Sequence, residues 1–357
     1  MDAELEHWKT TGQYFDYLGF DVFYRVEGTG PALLLIHGYP FSSWDWSLIW
    51  PTLTERFTVI APDMLGLGFS DKPVAYEYSV PDHADMHEAL LHRLGVDSFH
   101  VLAHDLGDSV GQELLARYEA GDNAYGVPVI ESITWLNGGL FNESYTPRLV
   151  QKLMSRTPLG DMVSRFQGSA VARRVVDRTL DELFGQNTKP TPRQLEQFHQ
   201  IMDYNDGTRV SHKVGRFVTD RYLYRNRWIR AMRETAVPMR LIDGPSDPNS
   251  GRHMAQRYLE VIPSPDVVML ADDIAHWPQI EAPEDVLRHF FAHVDRVVAT
   301  RGKQLVAFNL KADRPDDETL LTYLLGRTGY LRAPAAVVGK TLVVGFNPDA
   351  YKDVLGV

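Results

Sequence analysis

Three residues in this chain have the types and the order that covalent hydrolysis requires. The first is Asp105, within Val101-Leu102-Ala103-His104-Asp105-Leu106-Gly107-Asp108-Ser109-Val110-Gly111. Phe99 to Ala103 is a short β-favouring run, and Leu106 to Tyr118 carries apolar residues at helical spacing, so Asp105 falls where a strand enters a helix. Small residues on both sides allow a sharp turn that projects one side chain, the nucleophile elbow. Here that side chain is a carboxylate. It is ionised at neutral pH and can displace a leaving group from saturated carbon, leaving an alkyl-enzyme ester. Attack on an ester carbonyl would instead give a mixed anhydride, which disfavours ordinary esterase work. An Asp at a helix start can also be a plain N-cap, and residue type alone does not separate the two roles.

The other two residues lie far downstream. Leu241-Ile242-Asp243-Gly244-Pro245-Ser246-Asp247-Pro248 puts Asp247 in the loop after a strand, and Ala271-Asp272-Asp273-Ile274-Ala275-His276-Trp277-Pro278 puts His276 in the loop after the next. The order nucleophile, acid, His is that of the α/β-hydrolase fold. A neutral His276 oriented by Asp247 can activate the water that cleaves the ester at Asp105. Asp243 sits in or at the end of its strand, and Asp272 and Asp273 are too close to His276 in sequence, so all three are weaker candidates for the acid.

The elements that must hold these residues are legible in order. Tyr14 to Tyr17 and Asp21 to Val26 alternate around Gly19 as a hairpin. Ala32-Leu33-Leu34-Leu35-Ile36 is a continuous apolar run, as expected of a strand covered on both faces. It ends in His37-Gly38-Tyr39-Pro40, the place where this fold supplies one oxyanion-hole amide. Tyr39 and Leu106 are the expected donors, with His37 a packed loop residue. Phe57 to Ala61 is the next strand. Gly66-Leu67-Gly68 is a tight turn and not a dinucleotide loop, since Asp71 stands where a third Gly is needed. Pro81 to Leu94 is an amphipathic helix whose His83 and His87 are four apart, yet HExxH is absent and no metal is expected. Ile130 to Leu136 is a strand ending at Asn137-Gly138-Gly139. Residues 140–236 turn helical and read as a cap. The cap holds 17 Lys plus Arg against 10 Asp plus Glu, about +7, leaving about −18 elsewhere.

The expected fold is thus α/β: an α/β-hydrolase core (1–139 and 237–300), a helical cap (140–236) and a small C-terminal α/β accessory unit (304–357). The 357 residues contain no Cys, which removes disulfides and thiolate chemistry, and the formal charge of −11 disfavours nucleic acid as a partner. No secretory leader is apparent at the start and no apolar run could span a bilayer, so a cytoplasmic protein without membrane or cofactor is expected.

His37-Gly38-Tyr39-Pro40, His104-Asp105-Leu106-Gly107, Gly244-Pro245-Ser246-Asp247-Pro248 and His276-Trp277-Pro278-Gln279 resemble the α/β-hydrolase branch of epoxide hydrolases and haloalkane dehalogenases. Ser42-Ser43-Trp44-Asp45-Trp46, Gly66 to Pro73, Asn137-Gly138-Gly139, Asn205-Asp206-Gly207 and Arg227-Trp228 are similar to mesoderm-specific transcript proteins within it. The resemblance implies the Asp-nucleophile mechanism, with a small apolar epoxide and water as the substrates. Ala103 replaces the Gly usual before the elbow. Leu106 stands where the resembling dehalogenases carry a halide-binding Trp, and Leu cannot donate a hydrogen bond from its side chain. Epoxide hydrolases use cap Tyr hydroxyls as the acid, which points to Tyr224, with Tyr145, Tyr204 and Tyr222 competing for a second place. The alternatives are a haloalkane or haloacid dehalogenase, with Trp44, Trp46 or Trp228 as the halide donor, and a non-catalytic binding protein on the same fold. Asp295 to Lys303 reads as a helix end and linker. Leu331 to Phe346 is similar to the second half of thioredoxin- and glutaredoxin-like folds, with Pro334 as the cis-Pro and without the first strand or the Cys pair. What remains for this segment is an interaction or dimerisation module or a support for the hydrolase core, and an unpaired edge with an uncovered apolar face is most simply covered in a homodimer.

Overall fold

A computed structural model describes residues 1–121, 126, 128–146, 170–291, 296–301, 304–309, 315, 317–324, 335–338 and 341–344. The chain divides into two compact units, Met1–Leu287 and Arg288–Val357.

In the larger unit, eight strands form one sheet in the order β1-β2-β4-β3-β5-β6-β7-β8. The strands are β1 (Gln13–Tyr17), β2 (Phe20–Glu27), β3 (Ala32–Ile36), β4 (Thr58–Pro62), β5 (Ser98–Asp105), β6 (Val129–Gly138), β7 (Met239–Asp243) and β8 (Val267–Met269). The β1–β2 hairpin and the β2–β4 pair are antiparallel. Every pair from β4 through β3, β5, β6 and β7 to β8 is parallel. Parallel strands buried on both faces must be apolar throughout, and Leu33 to Ile36, Val59 to Ala61 and Val101 to Ala103 are all almost fully excluded from solvent. Helices Val80–Arg93 and Leu106–Ala120 cover the sheet; the first is capped by the Ser79 hydroxyl, which accepts from the Asp82 N–H. His83 and His87 lie within this packing, held neutral by burial, and the His87 Nδ1–H donates to the His83 carbonyl.

The cap segment contributes helices Ala170–Leu183, Pro192–Asp203, Ser211–Val214, Phe217–Leu223 and Arg225–Glu234 between β6 and β7. Thr191 and Gln194 form a reciprocal capping box at the second of them. Phe41, Leu180, Leu183, Phe184, Phe198 and Trp277 form one apolar cluster from cap and core residues together.

The smaller unit contains β9 (Arg296–Arg301), β10 (Gln304–Asn309), a helix Asp317–Leu324, β11 (Ala335–Val338) and β12 (Thr341–Val344). Its sheet runs β10-β9-β12-β11, with β9 and β12 parallel and the outer pairs antiparallel. This corrects the helix end and linker expected over residues 295–303. Val297, Val298 and Thr300 are β-branched and suit a strand, and the flanking Arg301-Gly302-Lys303 masked that signal. After residue 304 a strand, a helix and two strands follow, in keeping with the small α/β unit expected over 304–357, whereas Pro334 lies outside the described residues.

Candidate active site

The carboxyl ends of β3, β5, β6 and β7 lie side by side, so every loop that leaves them meets its neighbours. β5 runs into its helix at Asp105, whose backbone is turned to φ 50°, ψ −105°, a left-handed setting that a non-Gly residue holds only under surrounding constraint. The β5–β6 register shifts between His104 and Asp105. The turn demands Gly at 107, because a Cβ there would lie 2.1 Å from the Ile36 carbonyl oxygen. Asp105 makes no side-chain capping bond to its own helix, which removes the N-cap explanation. Its Oδ2 instead accepts from the Tyr39 N–H at 3.1 Å. The Leu106 N–H opens the helix, where helical geometry leaves it without an intrahelical acceptor.

His276 and Asp247 are brought together as the sequence order suggested, with Nδ1 to Oδ2 at 2.8 Å and both side chains buried. The Ser250 hydroxyl at 2.6 Å and the Asn249 N–H at 2.8 Å also donate to Asp247. Burial would raise the Asp247 carboxyl, but the His276 charge and these donors outweigh it and hold it below the ordinary range. Burial would likewise lower the His276 imidazole, yet the Asp247 carboxylate, followed by Asp105, carries it above its ordinary value. Asp243 is buried and pushed well above the carboxylate range, and Asp272 and Asp273 engage Arg252 and Asn187, so none of these three orients the imidazole.

Several positioning residues escaped the sequence reading. His104 Nε2–H donates to the His276 carbonyl at 2.7 Å, and burial holds this imidazole neutral, down to about 3. Asn137 closes a pair of bonds with Gly244, through its Oδ1 at 2.7 Å and its Nδ2 at 2.9 Å, and so joins β6 to the Asp247 loop. Glu281 accepts from the Ala275 and Trp277 N–H groups on either side of His276 and from Gly185 and Thr188 of the cap. His37 packs as expected: Nδ1–H donates to the Gly38 carbonyl and Nε2 accepts from the Met64 N–H, tying the Tyr39 loop to the next one. Arg221 is the least anticipated. It is 1% exposed, and its Nη2 donates to the Asp105 main-chain carbonyl at 2.9 Å and lies 3.5 Å from Oδ1. Among many cap cations nothing marked it, although Gly139 was a signal, since a Cβ there would lie 2.3 Å from Arg221 Nη1.

Tyr224 stacks on Trp228, whose indole N–H donates to Glu113, two turns along the helix from Asp105, and the Tyr224 side chain makes no hydrogen bond among the described residues. Tyr222 is 63% exposed, and Tyr204 packs against Phe69 beneath Lys9 and Lys72. No hydrogen bond among the described residues joins any of these three to Asp105. Tyr145 is buried with its ring 4.6 Å from the Arg221 guanidinium. The Trp228 commitment to Glu113 also takes it away from a halide role, and Trp44 packs edge-on against Trp8. Trp46 is wholly buried and its N–H has no partner among the described residues.

Eight mostly parallel strands with helices on both sides, a carboxylate on the elbow and a His–Asp pair beyond later strands define an α/β hydrolase, and the chain belongs to that family: residues 31–283 match the family described as alpha/beta hydrolase fold. Within it the chain is similar to the mesoderm-specific transcript protein of Mus musculus, 37% identical over 303 residues that cover 83% of this chain and 89% of that protein. The structure of the epoxide hydrolase CorEH without ligand matches with a TM-score of 0.66 at 20% identity, covering 79% of this chain and 97% of that one. Cfl2 from Burkholderia cenocepacia matches with a TM-score of 0.66 at 19% identity, covering 78% and 94%. At these identities the two structures speak to the fold. No helix among the described residues is long and apolar enough to cross a membrane.

Proposed function

We propose that this protein is an epoxide hydrolase working through an Asp105 alkyl ester. The observation that carries the reading is the unprotected carboxylate on the elbow, with one oxygen already on the Tyr39 amide and the His276–Asp247 pair in the loop tied to it through His104. Asp105 attacks the less hindered epoxide carbon, the C–O bond breaks, and the charge passes to the ring oxygen. His276 then takes a proton from water, and the hydroxide adds to the Asp105 carbonyl carbon. The resulting oxyanion sits between the Tyr39 and Leu106 amides, and collapse returns the carboxylate and releases a diol. The two hydrogens of the water end on the two diol oxygens.

The electrostatics fit this sequence of steps. In the free enzyme Asp105 helps to hold the proton on His276. Once Asp105 is esterified its charge is gone, so the imidazole becomes a better base when the water must be activated. Dehalogenation by the same attack is the second chemistry, and the absence of a Trp at 106 argues against it. A binding protein without turnover would need no such elbow. The smaller unit is read as an interaction module that supports a homodimer.

The test is a single turnover in H₂¹⁸O with enzyme in excess over a terminal epoxide. Attack of water on the ester carbonyl places the label in Asp105 and leaves the first diol unlabelled. Label in the first diol means direct water attack and contradicts the reading.

A further inference from the structure

Arg221 has no part in the scheme above, and its surroundings are unusual. The guanidinium lies between the Tyr145 and Phe217 rings, 4.6 Å from each centroid. Nε donates to the Ser109 hydroxyl at 2.8 Å and Nη2 to the Asp105 carbonyl oxygen at 2.9 Å. Nη1 is buried and has no partner among the described residues. Among the described residues the ion pair of Arg221 is with the nucleophile, Nη2 to Asp105 Oδ1 at 3.5 Å, and the nearby Asp108 carboxyl makes no hydrogen bond to it. Esterification removes the charge of the carboxylate that this buried cation pairs with among the described residues, and a buried cation left without its partner carries a large penalty.

We infer that Arg221 is the group that receives the departing anion: as Asp105 is alkylated, the negative charge moves from its carboxylate to the former ring oxygen, which takes up the free Nη1–H. The inference rests on the epoxide reading and replaces the cap tyrosine as the stabiliser of the alkoxide. Net charge around Arg221 is the same before and after attack, so no proton need move in the first step. Arg does not give up its proton near neutral pH, so the alkoxide stays ion-paired until the hydrolytic water supplies the hydrogen. Stabilisation of charge that develops only in the transition state speeds the reaction, whereas a ground-state contact does not.

The experiment follows the rate of Asp105 alkylation by rapid quench and intact mass, in the His276→Gln background, where the ester accumulates. Two epoxides of near-equal size are compared, 1,2-epoxypropane and its trifluoromethyl analogue, whose opening at the terminal carbon gives a far less basic alkoxide. Arg221→Met should slow alkylation by the methyl epoxide about a hundredfold, the usual loss for one donor to a developing oxyanion. The loss should be several-fold smaller with the trifluoromethyl epoxide. Arg221→Lys, which keeps the charge and guards against a folding defect in the first variant, should fall between. Alkylation in the unchanged-Arg221 background should also show no solvent deuterium isotope effect. Equal losses with both epoxides in both variants, or an isotope effect near the size expected for proton transfer from Tyr, would overturn the role of Arg221 while leaving the ester mechanism standing. No alkylation by either epoxide when Arg221 is intact would remove the epoxide reading, and this inference with it.

Discussion

The two walls of the candidate site are built on different principles. On the sheet side, Asp105, Tyr39, Asp247 and His276 stand at the ends of neighbouring strands, and their positions follow from register, a tight turn and a few backbone bonds. On the cap side, Arg221, Tyr145 and Phe217 come from segments packed onto the core over long sequence separations, and their positions depend on which aromatic faces meet. The sheet wall is therefore rigid and repeats its geometry wherever the turn is kept. The cap wall owes its chemistry to side-chain packing, and it reaches the nucleophile through Arg221, which holds the Asp105 carbonyl. In the proposed mechanism the first wall sets the reaction type and the second the leaving-group preference.

The largest effect should come from breaking the sheet wall at its tightest point. Gly107→Ala would drive a Cβ to within 2.1 Å of the Ile36 carbonyl, and the neighbour is backbone, which cannot step aside. We expect turnover to be lost and the free energy of unfolding to fall by about 1 to 3 kcal/mol, the usual cost of overpacking, as read by denaturant titration. Near-normal activity in this variant would mean that the elbow is looser than described.

A smaller effect is expected at Glu281, which fixes His276 from both sides while reaching into the cap. Glu281→Gln retains size but weakens the acceptor, and disturbance of a partner that orients a reacting group costs on the order of tenfold or more. Ester hydrolysis should slow while alkylation is nearly unchanged, which stopped-flow and quench measurements separate. Equal slowing of both steps would show that Glu281 supports the site as a whole.

The pH dependence sharpens the same division. His276 is held above its ordinary value in the free enzyme by Asp247 and then Asp105, and esterification deletes the second of these. Hydrolysis of the ester needs the neutral imidazole, so its rate should rise with pH to a plateau. The midpoint should lie below the imidazole titration seen by NMR in the free enzyme. Coincident midpoints would mean that the Asp105 charge does not reach His276.

The smallest change is expected at Tyr224. Its ring is held on Trp228, and Tyr224→Phe should leave kcat within about twofold, the small effect expected of a substitution away from the reacting groups. A loss near a hundredfold would restore this hydroxyl as the acid and place the cap differently from the arrangement described.

The same contrast explains what the sequence could and could not reveal. The apolar runs of β3 to β5, the small residues around Asp105 and the loops after β7 and β8 are local signals, and each marks a residue that the structure puts at one end of the sheet. Residue type and motif point to Tyr224, whereas the direction of a cap side chain is set by its packing, here on Trp228, which Glu113 holds. Arg221 was invisible for the same reason, being one of many cationic cap residues, and only the missing side chain at Gly139 hinted that something must lie against that turn. In the smaller unit β9 pairs both with β10, which follows directly with Gln304 opposite Arg301, and with β12 some forty residues on, and the polar Arg301-Gly302-Lys303 between the first two reads in sequence as a linker.

The most direct test of the account is intact-mass measurement of His276→Gln after exposure to an epoxide that the unaltered protein converts. If Asp105 is the nucleophile and His276 acts only on the ester, the protein should gain the mass of one epoxide, the increment should map to the peptide holding Asp105, and Asp105→Ala should show none. Absence of an adduct for every epoxide that the unaltered protein turns over, or an adduct that survives in Asp105→Ala, would contradict the covalent role of Asp105.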